Sequence, residues 1–160
     1  MNIVANNRKI KICDLILNTM KKYLQVNSED LEAGGVLIGK ENMYNNDLVI
    51  EFITEPLKND KRKRNRFHRK DKGHLDIFKT LHRNNFETYA YLGEWHTHPE
   101  SEPNYSSIDY SNWKKIGKSA PYGVIHYHII AGYDAFRIWE YNISKKKINL
   151  IKTIFWKDVS

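Results

Sequence analysis

The chain has 160 residues, 41% of them hydrophobic, enough for one folded domain with a real core and too apolar for a disordered segment. Its only cysteine, Cys13, excludes an internal disulfide, a Cys-rich zinc site and the Pro-Cys-x-x-Cys pair of a zinc deaminase. The net charge of +7 suits a basic surface, an acidic protein partner or a nucleic acid.

Met1 to Asn7 is polar, and no run approaches the roughly 20 apolar residues of a membrane span. The expectation is a soluble, cytoplasmic protein that does not touch membrane. Arg8–Ile12 alternates Lys and Ile like a half-buried strand. Asp14–Leu24 spaces Leu17, Met20 and Leu24 for a helix, with Asp14 as its cap, and Asn27–Asp30 reads as a turn. Gly34–Gly39 is a short apolar strand, and Leu48–Ile53 is its hairpin partner across Asn45–Asp47.

Lys58–Lys72 concentrates the positive charge and reads as a mobile, solvated loop. Asp71–His82 carries Leu75, Phe78 and Leu81 on one helical face. Glu87–His96 is strand-like, and Ser106–Lys118 is helical. Tyr122–Ala131, Ala135–Tyr141 and Ile148–Trp156 complete the chain as strands, with turns at Gly132–Asp134 and Ser144–Lys147. Strands and helices without a βαβ repeat, and without a linker or internal repeat, predict a single α+β domain over residues 1–160.

The chemistry concentrates in Glu94-Trp95-His96-Thr97-His98-Pro99 and in Ser106-Ser107-Ile108-Asp109. Side chains two apart on a strand share a face, so His96 and His98 can aim at one point. Two neutral imidazoles and a carboxylate from Asp109 suit zinc and leave a fourth position for water. Each part also has a plain structural reading, since His-x-His occurs by chance and Ser106 with Asp109 has the spacing of a capping box.

Glu32 before Gly34-Gly35-Val36-Leu37-Ile38-Gly39, then His96-x-His98-Pro99, six residues, and Ser106-x-x-Asp109, resembles the JAMM motif of the JAB/MPN metallopeptidases. Glu-Trp-His-Thr-His-Pro-Glu is similar to the prokaryotic JAB branch, including the deconjugating peptidases of CBASS-type anti-phage operons. The resemblance implies a JAB/MPN-like domain: a curved mixed sheet flanked by helices, with the zinc site at a strand end and the start of the following helix. It implies one Zn²⁺ per chain on His96, His98 and Asp109. Glu32 is then the general base and acid, and Ser106 the hydrogen-bond donor to the oxyanion. The implied substrate is a protein conjugate, in which a ubiquitin-like modifier or a nucleotidyltransferase-like protein is joined to its target. The extra Cys/His zinc loop of eukaryotic deubiquitinating relatives has no counterpart beside one cysteine, which leaves substrate recognition open.

Other residues stay ambivalent at this level. Glu94 shares the parity of His96 and rivals Glu32 as base or fourth ligand. His126 and His128 read as satisfied structural histidines rather than a second metal site. His68, His74 and His82 read as surface groups near the second helix, and Trp113 as a core or shielding residue. A non-catalytic MPN-type scaffold is one competing reading. A nucleic-acid module built on Lys58–Lys72 is the other, although it leaves the His, Asp and Glu set without a role.

Overall fold

The computed structural model describes residues 1–119 and 123–159. The polar N-terminus, given no element above, forms a hairpin: β1 (Asn2–Ala5) pairs antiparallel with β2 (Arg8–Ile12). Asn6 and Asn7 turn the chain with φ of 52° and 59°, the conformation that asparagine tolerates in tight hairpins. β1 is an edge strand that buries only Ile3, so its sequence carries little apolar signal.

Helix α1 (Asp14–Lys22) buries Ile16, Leu17 and Met20 against the sheet. Its cap is Cys13 rather than Asp14; no side chain caps the helix, and Asp14 sits in its first turn, 3.7 Å from the N-terminal amine. β3 (Gly34–Glu41) and β4 (Leu48–Ile53) form the expected antiparallel hairpin. The basic run is not a solvated loop: β5 (Lys61–Lys63) and β6 (Arg66–His68) pair as a separate two-stranded sheet. Helix α2 (Gly73–Asn84) follows. The next strand, β7 (Ala90–Thr97), begins three residues later than its composition indicates, because Phe86 and Glu87 adopt positive φ in a turn.

Helix α3 (Ser107–Ser119) leads to β8 (Ile125–Ala131), β9 (Ala135–Asn142), β10 (Lys147–Phe155) and a final 3₁₀ turn. The predicted start of β8 at Tyr122 lies outside the described residues. The main sheet runs β1-β2-β4-β3-β7-β8-β9-β10. It is mixed, with β2–β4 and β7–β8 parallel and the other pairs antiparallel. The α+β expectation therefore holds.

Both faces of the central strands are covered. Leu37, Trp95, Tyr127 and Ile129 join the α1 residues on one face, whereas Val36 and Ile38 pack with Phe78 of α2 on the other. Trp113 of α3 packs on that second face with Ile130, Trp139 and Tyr141. Each such side chain, taken fully out of water, contributes about 1.5–3 kcal/mol. The alternation of β7 then has one consequence for the site: Trp95 goes into the α1 core, so Glu94 and His96 face α3.

Candidate metal centre

His96 is the penultimate residue of β7 and His98 lies just beyond the strand, where the His98 amide is still held by the Ala131 carbonyl at 3.0 Å. Asp109 sits in the first turn of α3. Ser106 starts that helix with a reciprocal cap: its Oγ accepts from the Asp109 amide at 3.1 Å, and Asp109 Oδ2 accepts from the Ser106 amide at 2.6 Å. The Ser106 hydroxyl also donates to Oδ2 at 2.7 Å. The cap and the site thus use the same two residues, and the cap holds the carboxylate rigid.

The three side chains converge. His96 Nε2 and His98 Nε2 are 3.0 Å apart; Asp109 Oδ1 is 3.2 Å from the first and Oδ2 is 3.4 Å from the second. These are the only described residues whose ligand atoms cluster as a candidate metal set, all within 4.8 Å of one another. Donors about 2.0–2.1 Å from a tetrahedral ion lie roughly 3.3 Å from each other, so the spacing fits zinc. The electrostatics fit too. Two imidazole nitrogens aimed at one point beside a carboxylate suit a cation between them. Burial raises the Asp109 carboxyl, but hydrogen bonds from His96 and His98, the charge of His96 and the Ser106 hydroxyl outweigh it and hold it well below the usual carboxylate range. Burial pulls His98 down, but the hydrogen bond and charge of Asp109, helped by Glu32, leave it raised.

Glu32 lies on the segment before β3, with 4% of its surface exposed. Its Oε1 is 3.9 Å from His98 Nε2. Burial pushes its carboxyl up to about 7, against the opposing charge of His98 and the backbone amide of Phe67. The basic hairpin pins it from both sides: its amide donates to the Lys63 carbonyl at 2.9 Å, and Arg62 Nε donates to the Glu32 carbonyl at 2.8 Å. Arg64 holds the Asn27 carbonyl at 2.6 Å. Part of the positive run is therefore spent on backbone carbonyls that shape the site.

Two cavities meet at the centre. One, of about 400 Å³, is lined by Glu32, Arg66, His98, Ser106, Asp109 and others; a narrower one of about 140 Å³ lies between β6, β7 and α3. Phe67, Asp109 and Asn112 line both. Phe67 is the only apolar residue of the basic run and its ring rests over Gly34, where a Cβ would come within 2.5 Å of it. Neither Phe67 nor Asn112 stands out in the sequence; the lone aromatic among nine cations was the available signal.

The rival residues separate. Glu94 Oε1 accepts from Arg69 Nε at 2.7 Å and from the Tyr91 hydroxyl at 3.1 Å, in the narrow cavity away from Glu32. His74 is not a surface group: it is fully buried, its Nδ1 2.6 Å from Thr54 Oγ1 and its Nε2 2.7 Å from Asp60 Oδ2. The arrangement mimics a catalytic triad, yet it has no access to solvent. His126 and His128 are fully buried, but the expectation of satisfied histidines does not hold for His128. The ring of His128 stacks on Trp113 at 4.3 Å, and neither of its nitrogens reaches a hydrogen-bond partner among the described residues. Burial, then His126 and His96, hold it far below the ordinary histidine value and so neutral. His128 is thus packed rather than hydrogen-bonded.

Residues 23–142 match the family described as prokaryotic homologs of the JAB domain. The chain is 39% identical over 100 residues to the CD-NTase/cGAS isopeptidase of Pseudomonas aeruginosa, covering 62% of each chain. It is 36% identical over 104 residues to the protein of the same name from Escherichia coli, covering 65% of each, so it spans under two thirds of the length of these curated relatives. A solution structure of a protein from Desulfitobacterium hafniense superposes with a TM-score of 0.60 over 89% of this chain and 90% of that one, at 17% identity, which is a likeness of fold. No described helix is long and apolar enough to cross a membrane.

Proposed function

The chain belongs to the family of prokaryotic homologs of the JAB domain, and from that premise we propose that it is a zinc-dependent isopeptidase that reverses protein conjugation. The bond cut is the amide after the C-terminus of a ubiquitin-like or nucleotidyltransferase-like protein, in a bacterial anti-phage setting. The convergence of His96, His98 and Asp109 within reach of the buried Glu32 carries this reading. The names of the relatives, CD-NTase/cGAS isopeptidases, support the substrate class.

His96, His98 and Asp109 would hold the ion, which when bound polarises the substrate carbonyl and acidifies water. Glu32 takes the proton from the attacking water on its carboxylate as the new C–O bond forms. It returns that proton to the leaving amine as the C–N bond breaks. A carboxyl lifted by burial is suited to both transfers near neutral pH. The Ser106 hydroxyl, which bonds Asp109 in the resting arrangement, turns to the developing oxyanion. Phe67 and Arg66 of the hairpin line the cleft.

The test pairs metal analysis with cleavage of a reporter fused to the C-terminus of a nucleotidyltransferase-like protein. The purified chain should hold one zinc and cleave the fusion, and Glu32→Ala should keep the zinc and lose the cleavage. Undiminished cleavage by Glu32→Ala would overturn the base, and zinc retained after replacing both His96 and His98 would overturn the metal site.

A further inference from the structure

A second basic feature stands apart from the hairpin. Lys114, Lys115 and Lys118 of α3 and Lys146 of the β9–β10 turn line a groove of about 390 Å³ whose walls include Tyr110, Tyr141 and Ile143. No carboxylate is among its lining residues. None of the four lysines makes an ion pair with a described residue. Four like charges around one concavity concentrate a positive potential that an anionic partner relieves.

The groove lies on the flank of α3 turned away from Asp109, and one side chain reaches from it to the cleft. Lys115 lines both the groove and the narrow cavity beside His96 and Asp109. The positive field extends to the opposite wall, where burial and then Lys70, Arg66 and Lys115 hold His68 below its ordinary value. Along α3, Lys118 lies nine residues after Asp109, about 14 Å at 1.5 Å per residue. An extended peptide covers that axial distance in about four residues, and since nine residues leave Lys118 half a turn round the helix from Asp109, about four is the minimum.

We propose that this lysine groove docks an acidic segment of the protein being cleaved, about four residues or more from the scissile bond. The proposal rests on the isopeptidase reading and adds to it the charge of the substrate. A nucleic acid fits less well. Single strands bind by stacking bases on open aromatic faces, whereas Tyr141 is 2% exposed and Lys114 Nζ covers the Tyr110 ring at 4.3 Å.

Binding can be read without hydrolysis, by fluorescence anisotropy at low salt with the full chain. The probes are a labelled glutamate-rich peptide, its glutamine counterpart and a single-stranded oligonucleotide. The glutamate peptide should bind and the glutamine peptide should not. Lys118→Gln with Lys146→Asn should weaken binding roughly tenfold while leaving zinc content and the cleavage of a neutral fusion unchanged; asparagine accepts the φ of 52° at position 146. Lys118→Arg should restore binding. Unchanged binding in the double variant would overturn the proposal, as would lysine-dependent binding of the oligonucleotide tighter than that of the peptide. A chain that docks the peptide but cleaves no fusion would overturn the isopeptidase reading instead.

Discussion

Arg69 Nε donates to Glu94 Oε1 at 2.7 Å, tying the end of the basic hairpin to the strand that carries His96. Both side chains are at most 20% exposed, and Tyr91 adds a hydrogen bond to the same oxygen. These contacts hold Glu94 as an anchor between β7 and the end of the hairpin, and we predict that it is not the base. Glu94→Gln should retain zinc and most of the turnover, whereas removing the guanidinium in Arg69→Ala should cost about 1–3 kcal/mol by stranding the carboxylate. Denaturant unfolding set beside single-turnover cleavage separates the two effects; a complete loss of turnover in Glu94→Gln with zinc retained would restore Glu94 as a candidate base.

Zinc should stabilise the fold measurably. An ion that binds only the folded chain adds about 2.7 kcal/mol at a concentration 100 times its Kd. Thermal unfolding of the chelated protein should shift upward on adding zinc, and His96→Ala or Asp109→Ala should abolish the shift. A shift of equal size in both variants would place the ion elsewhere.

The buried chain Asp60–His74–Thr54 should act as a lock. Thr54 Oγ1 accepts from the Val36 amide at 2.7 Å, and Asp60 accepts from the amides of Leu57, Lys70 and Asp71. The lock joins the base of the hairpin to β3. His74→Ala should cost about 2–4 kcal/mol, from the cavity and two buried groups left without a partner.

Acid should release the same lock. Burial raises the Asp60 carboxyl, but the Asp71 and Leu57 amides and His74 outweigh it, and the net shift is downward. The unfolded chain therefore takes up the proton first. The contribution of Asp60 is complete above the ordinary aspartate value and is lost as pH falls through its lower folded value. Unfolding free energies measured from pH 7 down to pH 3 should fall more steeply for the wild type than for Asp60→Asn, and parallel profiles would rule this out.

Gly34→Ala tests the part of the cleft lined by Phe67. A Cβ there would meet the Phe67 ring and the Trp95 carbonyl oxygen, each at 2.5 Å. The ring can swing away, but the backbone oxygen cannot without moving β7. The expected result is a loss of about 1–3 kcal/mol and a fall in kcat, with Phe67→Ala in the same chain recovering only part of the stability.

Much of the site was legible in the sequence because its geometry is local. His96 and His98 share a face through strand parity, and Ser106 with Asp109 closes one turn of helix. The predicted elements from Arg8 to Ile53 fell close to their observed bounds for the same reason, since apolar alternation and turn residues act over short range. His74, by contrast, is read from its neighbours as one more polar helix residue. Its partners Thr54 and Asp60 come from other segments, and nothing in their spacing reveals the contact.

The candidate metal set of His96, His98 and Asp109 was suggested by residue types and spacing, because side-chain direction along a strand or helix is periodic, whereas Glu32 as its companion acid came from the resemblance to the JAMM motif. Tertiary structure put the two acids in different surroundings. Glu94 and Glu32 are alike as residues, but Arg69 neutralises the first while burial beside His98 lifts the second. It also folded part of the basic run into a hairpin against the cleft and gathered Lys114, Lys115, Lys118 and the distant Lys146 around one groove. Charge acts through space, and only the fold sets those distances.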